Sequence, residues 1–288
     1  MFALGYNTNG LAHHRLLEAV DLIADIGYTA LALTPDVGQL DPFHCSAEEV
    51  AAVREACGER GLRISVETGA RFLMDPERKH FPTLLEDSAA DRRRRVDFLR
   101  RSIDLARELG AEVVSIWSGQ APGGELAGAD PERATVHWDR LAEGLEPVLA
   151  HARQSGIDLA FEPEPGMFVE RPGEYLALLE HLGSAGECLW LTLDVGHLVV
   201  TGDLPVSDEI RALKSRIRNV HLDDCPRGVH LHGPFGSGDL DLQDTISALL
   251  EVNYEGIASV ELSRDSHRGP AAARQAFGHL REAIAGDS

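Results

Sequence analysis

Cysteine is scarce in this chain: four in 288 residues, Cys45, Cys57, Cys188 and Cys225, with no CxxC pair among them. No CxxC redox or metal motif is available, and reduced thiols in a cytoplasmic protein are the expectation. Positive charge is also short, with 27 Lys and Arg against 47 Asp and Glu and a net charge of −20. A surface of that sign repels phosphate backbones and anionic lipid, which excludes nucleic acid and membranes as partners. Apolar runs fall well below the roughly 18 residues that span a bilayer, and no basic stretch followed by an apolar core opens the chain. A P-loop and a GxSxG elbow are missing, and Gly5 and Gly10 do not make a dinucleotide fingerprint after the first strand.

What is present is alternation. Short β-like runs alternate with longer segments of helical period from end to end, with no linker between them. Strands are expected at Phe2–Tyr6, Tyr28–Leu33, Leu62–Val66 and Glu112–Trp117. Four more are expected where apolar runs meet Glu162, Asp194, His221 and Glu261. Helices are expected at Leu16–Ile26, stopped by Gly27, and from the capping box Ser46-Ala-Glu-Glu49 to Arg60. Further helices are expected over Asp91–Leu109, from an Asp130 N-cap and Pro131 to about Gln154, and near 172–182, 204–215, 241–252 and 270–285. Residues 68–90, with Gly69, Pro76 and Pro82, read as a lid or substrate loop, and the run Arg92 to Arg95 as a solvated helix face, with an anion site as the alternative.

Eight β/α units whose strands are apolar on both faces imply a parallel sheet, and closing it as a single (β/α)8 barrel over residues 1–288 leaves no exposed edge. All strands of such a barrel end at one rim, so residues remote in sequence converge there. Glu162, Asp194, His221 and Glu261 stand at four consecutive strand ends. Three carboxylates and an imidazole make a hard, oxygen-rich donor set suited to Mn2+ or Mg2+, with Co2+ or Zn2+ also able to bind. A divalent ion chelating a carbonyl and a neighbouring hydroxyl acidifies the C–H beside the carbonyl and stabilises an enediolate. Two carboxylates on opposite faces can then remove and return the proton.

The motifs Phe161-Glu-Pro-Glu-Pro-Gly166, Leu193-Asp-Val-Gly-His197, Val220-His-Leu-Asp223, His232-Gly-Pro-Phe-Gly-Ser-Gly238 with Asp241, and Ser259-Val-Glu-Leu262 resemble those of the xylose-isomerase-like TIM-barrel proteins. That group includes sugar phosphate isomerases and epimerases, ketose 3-epimerases, inosose dehydratases and, more distantly, endonuclease IV. The resemblance implies one divalent metal, foremost Mn2+, held by Glu162, Asp194, His221 and Glu261. It gives Glu162 and Glu261 the proton exchange with substrate carbon, and it implies a sugar or cyclitol substrate and a possible homodimer. Isomerisation or epimerisation through a metal-bound enediolate is the activity implied. A lyase of the inosose-dehydratase or keto-glycoside type is the alternative, and a non-catalytic metabolite-binding barrel a third reading.

Around that centre, His197 is expected to face substrate or a second, weaker metal together with His230 or His232, which fall on one side of an extended segment. Glu164, Trp117 and Glu67 are further substrate-contact candidates; Glu164 could replace Glu162 as ligand if the strand ended later. Arg71, Lys79 and His80 belong to the long loop. The three-zinc endonucleases need histidines where this chain has Thr34, Glu67 and Trp117, which argues against DNA repair.

Overall fold

The computed structural model describes residues 1–128 and 131–286. The N-cap expected at Asp130 lies outside the described residues. Eight strands pair in the order β1-β2-β3-β4-β5-β6-β7-β8 and close into a barrel with helices interleaved, as the alternation predicts. The strands are β1 (Ala3–Asn7), β2 (Ala30–Leu33), β3 (Arg63–Glu67), β4 (Val113–Ile116), β5 (Asp158–Phe161), β6 (Leu189–Asp194), β7 (Ile217–Leu222) and β8 (Ile257–Val260). Between and after them run α1 (Leu16–Ile26), α2 (Ala47–Glu59), α3 (Ala89–Leu109), α4 (Pro131–Ser155), α5 (Pro172–Leu182), α6 (Val195–Thr201), α7 (Val206–Leu213), α8 (Leu242–Glu251) and α9 (Gly269–Gly286). No described helix is long and apolar enough to cross a membrane.

The contacts fall into two units, Met1–Leu33 with Ala52–Ser65 and Thr192–Ser288, and Thr34–Ala51 with Val66–Leu191. In the first, β1 pairs in parallel with β2 (Tyr6 opposite Leu31) and with β8 (Gly5 opposite Ser259), and β7 pairs with β8 (His221 opposite Ser259). In the second, β4 pairs with β5 (Ile116 opposite Phe161) and β5 with β6 (Phe161 opposite Leu191). Strand side chains such as Leu31, Val114, Phe161, Leu191, Val220 and Val260 are fully buried. Strands covered on both faces cannot show hydrophobic alternation, and they read as continuous apolar runs instead.

Local chemistry sets the helix ends. The Ser46 hydroxyl accepts the Glu49 N–H at 3.2 Å while the Glu49 carboxylate accepts the Ser46 N–H at 2.8 Å, the reciprocal box read from the sequence. Gly27, at φ 115°, closes α1 in the left-handed conformation. Three expectations shift. Helix α3 begins at Ala89 rather than Asp91, because the Ser88 side chain caps it by accepting the Asp91 N–H at 3.3 Å. Helix α6 is an addition: its seven residues are too short for a helical period, and Asp194, read as a ligand, is also its N-cap. The Arg92–Arg95 run is not uniformly solvated, since Arg95 lies on the inner face of α3 and is only 1% exposed.

Candidate metal centre

Each of the four residues stands at or next to the end of a buried strand. Glu162 follows β5, Asp194 ends β6, His221 is the penultimate residue of β7, and Glu261 follows β8. Their candidate ligand atoms all lie within 4.8 Å of one another. His221 Nδ1 is 3.1 Å from Glu261 Oε2 and 3.8 Å from Asp194 Oδ2. Three carboxylates crowded around one imidazole out of water repel one another strongly. A divalent cation is the partner whose charge and preference for oxygen fit that donor set, so the residues present fit the ion the sequence suggests.

A shell of neighbours orients these groups. The Asn9 side-chain amide donates to Glu261 Oε1 at 2.7 Å, and the Asn7 side chain holds the turn by accepting the Asn9 N–H at 3.0 Å. Burial alone would raise the Glu261 pKa, but the hydrogen bond and charge of His221, with the charge of His232 and the Asn9 amide, hold it well below the usual carboxylate range. The Asn219 amide lies 3.2 Å from His221 Nε2 and leaves Nδ1 directed at the carboxylates. Asp194 works on two sides: Oδ1 accepts the His197 N–H at 2.8 Å, while Oδ2 faces His221. On the other strand, the Ser115 hydroxyl reaches Glu162 Oε2 at 3.5 Å.

The histidines expected nearby converge as a second group. His197 Nε2 is 3.0 Å from His230 Nε2, which is 2.8 Å from His232 Nε2, so the three form a further set able to hold an ion. His232 Nδ1 also contacts the Asp223 carboxylate. Burial opposes protonation of His232, but the adjacent Asp223 carboxylate outweighs it and raises the pKa well above the ordinary imidazole value. Asp223 packs so closely on the first turn of α6 that a Cβ at Gly196 would overlap its Oδ1, which makes glycine necessary there.

The remaining candidates separate. Glu67 is buried at the end of β3. Trp117, next after β4, is 5% exposed, with the Arg95 guanidinium 4.7 Å over its ring and the His80 ring edge-on at 5.4 Å. Glu164 is half-buried two residues beyond Glu162; the ligand-competent group contains Glu162, which favours the earlier strand end. The glycine-rich motif 232–238 is a loop pinned by one carboxylate. The Asp224 carboxylate accepts the N–H groups of Gly236, Gly238 and Leu240 at 2.8, 2.9 and 3.0 Å.

Sequence reading misses Asn9, Asn219 and Arg95. The run Asn7-Thr-Asn9 directly after an apolar strand is the available signal for the first, while a charged residue inside a run of four arginines gives none for the last.

With the barrel and its rim established, the decisive comparison is a family match over residues 20–283 to the xylose isomerase-like TIM barrel. This chain belongs to that family. It is similar to the L-ribulose-5-phosphate 3-epimerase of Salmonella typhi, 25% identical over 261 residues that cover 89% of this chain and 85% of the relative. Among solved structures it resembles an L-ribulose 3-epimerase at TM-score 0.78 and 20% identity, covering 100% of this chain and 96% of that one. It also resembles the 3-keto-D-glucoside 4-epimerase of E. coli at TM-score 0.74 and 16% identity, covering 98% and 100%. The structural likenesses establish the fold and leave the chemistry to the site.

Proposed function

We propose that this chain is a divalent-metal-dependent isomerase or epimerase acting on a sugar or cyclitol, with epimerisation beside a carbonyl as its reaction. The observation that carries this reading is the convergence of Glu162, Asp194, His221 and Glu261 at strand ends, three carboxylates and one imidazole within mutual reach. The relatives named as sugar 3-epimerases support the choice of reaction.

Glu162, Asp194, His221 and Glu261 would hold the ion, with Mn2+ the first choice and Mg2+, Co2+ or Zn2+ as substitutes. Bound there, a divalent ion would acidify a C–H beside a carbonyl and lower the cost of the charge that develops. The protein groups do the proton work. The carboxylate of Glu162 or Glu261 takes the proton from carbon, and the C–H electron pair passes into an enediolate. The other glutamate supplies a proton to the opposite face, which inverts the centre and leaves the carboxylates to re-equilibrate through solvent. Asn9 fixes the orientation of Glu261, and the Ser115 hydroxyl does the same for Glu162. His197, buried beside Asp194, together with Trp117, Glu67 and Glu164, would line the sugar.

Four free cysteines support a cytoplasmic location, and the family resemblance supports a homodimer. The test is product analysis by NMR after incubation with Mn2+ and a panel of ketoses, inososes and 3-keto-glycosides. An epimer whose inverted centre carries solvent deuterium is expected. Loss of water or of an aglycone with no epimer formed would replace the reading with a lyase.

A further inference from the structure

One cation is buried where packing gains little from its charge. Arg95, on the inner face of α3, is 1% exposed, and burial pushes its pKa down to about 9. Nη2 donates to the Thr68 carbonyl at 3.2 Å, whereas Nη1 has no hydrogen-bond partner among the described residues. A buried cation with an unused donor is costly, and apolar side chains of similar volume often serve stability as well or better. Stability alone therefore does not account for a guanidinium at this place.

Its contacts show what the guanidinium holds. It lies 4.7 Å over the Trp117 ring and 5.1 Å over the Phe98 ring. Trp117 is gripped from elsewhere too: the His80 ring meets it edge-on at 5.4 Å, and a Cβ added at Gly119 would come within 3.1 Å of the indole. Thr68, the partner of Nη2, is itself tied to β4, since its N–H and its hydroxyl both donate to the Ser115 carbonyl, at 3.1 and 2.8 Å. One guanidinium thus bridges the first residue after β3 and the first residue after β4.

Register gives Trp117 its place at the site. Ile116 stands opposite Phe161 in the β4–β5 pair, and the Ile116 carbonyl accepts the Glu162 N–H at 2.7 Å. Trp117 and Glu162, the next residues on the two chains, are lateral neighbours, and parallel neighbours in register carry their side chains on the same face. The indole therefore stands beside one of the two carboxylates given the proton transfer above.

We propose that Arg95 is a positioning residue for the substrate site: by fixing the Trp117 indole next to Glu162, it sets how the sugar lies against that carboxylate. The guanidinium touches no reacting atom and acts through the ring. A planar group stacked on an aromatic face and anchored by a carbonyl holds that face at a defined angle, which a flexible ammonium does less well. This inference adds a residue to the reading given above and rests on it.

The test is a double-mutant cycle on kcat/KM, with Mn2+ and whichever sugar of the panel the wild-type chain turns over. Arg95→Leu is expected to lower kcat/KM about tenfold or more, because a small misplacement beside the reacting carbon slows the step strongly. In the Trp117→Leu background the same substitution should change it less than about twofold, since the ring through which Arg95 acts is gone. Arg95→Lys, which keeps a cation near the ring, should recover part of the loss. Should Arg95→Leu not fold, Arg95→Lys carries the cycle alone, with a smaller loss expected in the parent and none in Trp117→Leu. Equal losses in both backgrounds overturn the proposal, because a structural role independent of Trp117 is additive, and so does wild-type kcat/KM in Arg95→Leu. Near-ultraviolet circular dichroism, in a chain whose other tryptophans, Trp138 and Trp190, are replaced by phenylalanine, keeps the two readings apart. A tryptophan band that weakens in Arg95→Leu while Mn2+ affinity is unchanged supports the anchoring of Trp117 even where no sugar of the panel is turned over, and an unchanged band contradicts it.

Discussion

The Asn9 amide and the Glu261 carboxylate meet at 2.7 Å, across 252 residues of sequence, and this contact fixes which carboxylate oxygen remains for chemistry. Oε1 is occupied by Asn9, and Oε2 faces His221 at 3.1 Å. Replacing Asn9 by leucine removes the donor and leaves the carboxylate free to rotate. Groups that orient ligands are typically worth about 10- to 100-fold in metal affinity or activity. We expect Asn9→Leu to lower kcat/KM by that amount with an unchanged far-ultraviolet circular dichroism spectrum. Full activity in this variant would show that the contact is incidental.

Asn219 acts on His221 from the side away from the carboxylates, 3.2 Å from Nε2. Its loss should loosen the imidazole and weaken Mn2+ binding without removing a ligand. Titration calorimetry of Asn219→Leu is expected to show a dissociation constant raised roughly tenfold or more. An unchanged constant would mean that packing alone orients the ring.

Two glycines in helices should respond in opposite directions to the same methyl group. At Gly196 a Cβ would overlap Asp223 Oδ1, a buried oxygen with nowhere to retreat, so Gly196→Ala should destabilise by about 1–3 kcal/mol, as overpacked sites do. At Gly58, exposed in α2, a Cβ would meet nothing within 4 Å, so Gly58→Ala should stabilise by about 0.5–1 kcal/mol through helix propensity. Urea titrations of both variants measure the pair.

Asp224 is the pin of the loop after β7, where one carboxylate takes three backbone N–H groups. Asp224→Ala strands those donors, and about 2–4 kcal/mol of stability should go with it. The neighbouring Gly238 admits no side chain because a Cβ there would overlap the Cys225 carbonyl. A melting temperature within a degree of the parent for Asp224→Ala would contradict this role.

Much of this is legible in the sequence. The barrel can be read because buried parallel strands leave continuous apolar runs and the helices between them keep their period, as at Leu16–Ile26 and the Ser46 capping box. Glu162, Asp194, His221 and Glu261 can be read because each is an ionisable metal-ligand type at the end of such a run, on four consecutive strands. What escapes is whatever depends on direction rather than order. Arg95 differs from its neighbours Arg92 to Arg94 only in the face of α3 it occupies, and in a helix with polar residues on many sides that face is set by the loop packed beneath it. Asn9 and Asn219 act through partners that only closure brings near. Helix α6 escapes because Asp194 serves as cap and candidate ligand at once, and its order in the chain points to only one of these.

Chelation bears on the same site from outside. Removing divalent ions should lower the melting temperature, since an ion that binds only the folded state stabilises it by mass action, by about 2.7 kcal/mol at a hundredfold excess over its dissociation constant. Mn2+ should restore the parent value, and His221→Ala should abolish the response. A melting temperature indifferent to both chelator and Mn2+ would remove the metal from the account.

The central claim is that Glu162 and Glu261 exchange a proton with substrate carbon beside a carbonyl, and hydrogen–deuterium exchange measures it most directly. Whichever ketose, inosose or 3-keto-glycoside of the panel the wild-type chain turns over should, in deuterated water with Mn2+, gain deuterium at the carbon beside the carbonyl and yield the epimer. Glu261→Gln, which keeps the Asn9 partner and the size of the side chain, should bind metal yet exchange at least ~100-fold more slowly, the scale of a lost general base. Exchange at the wild-type rate in Glu261→Gln would contradict the assignment.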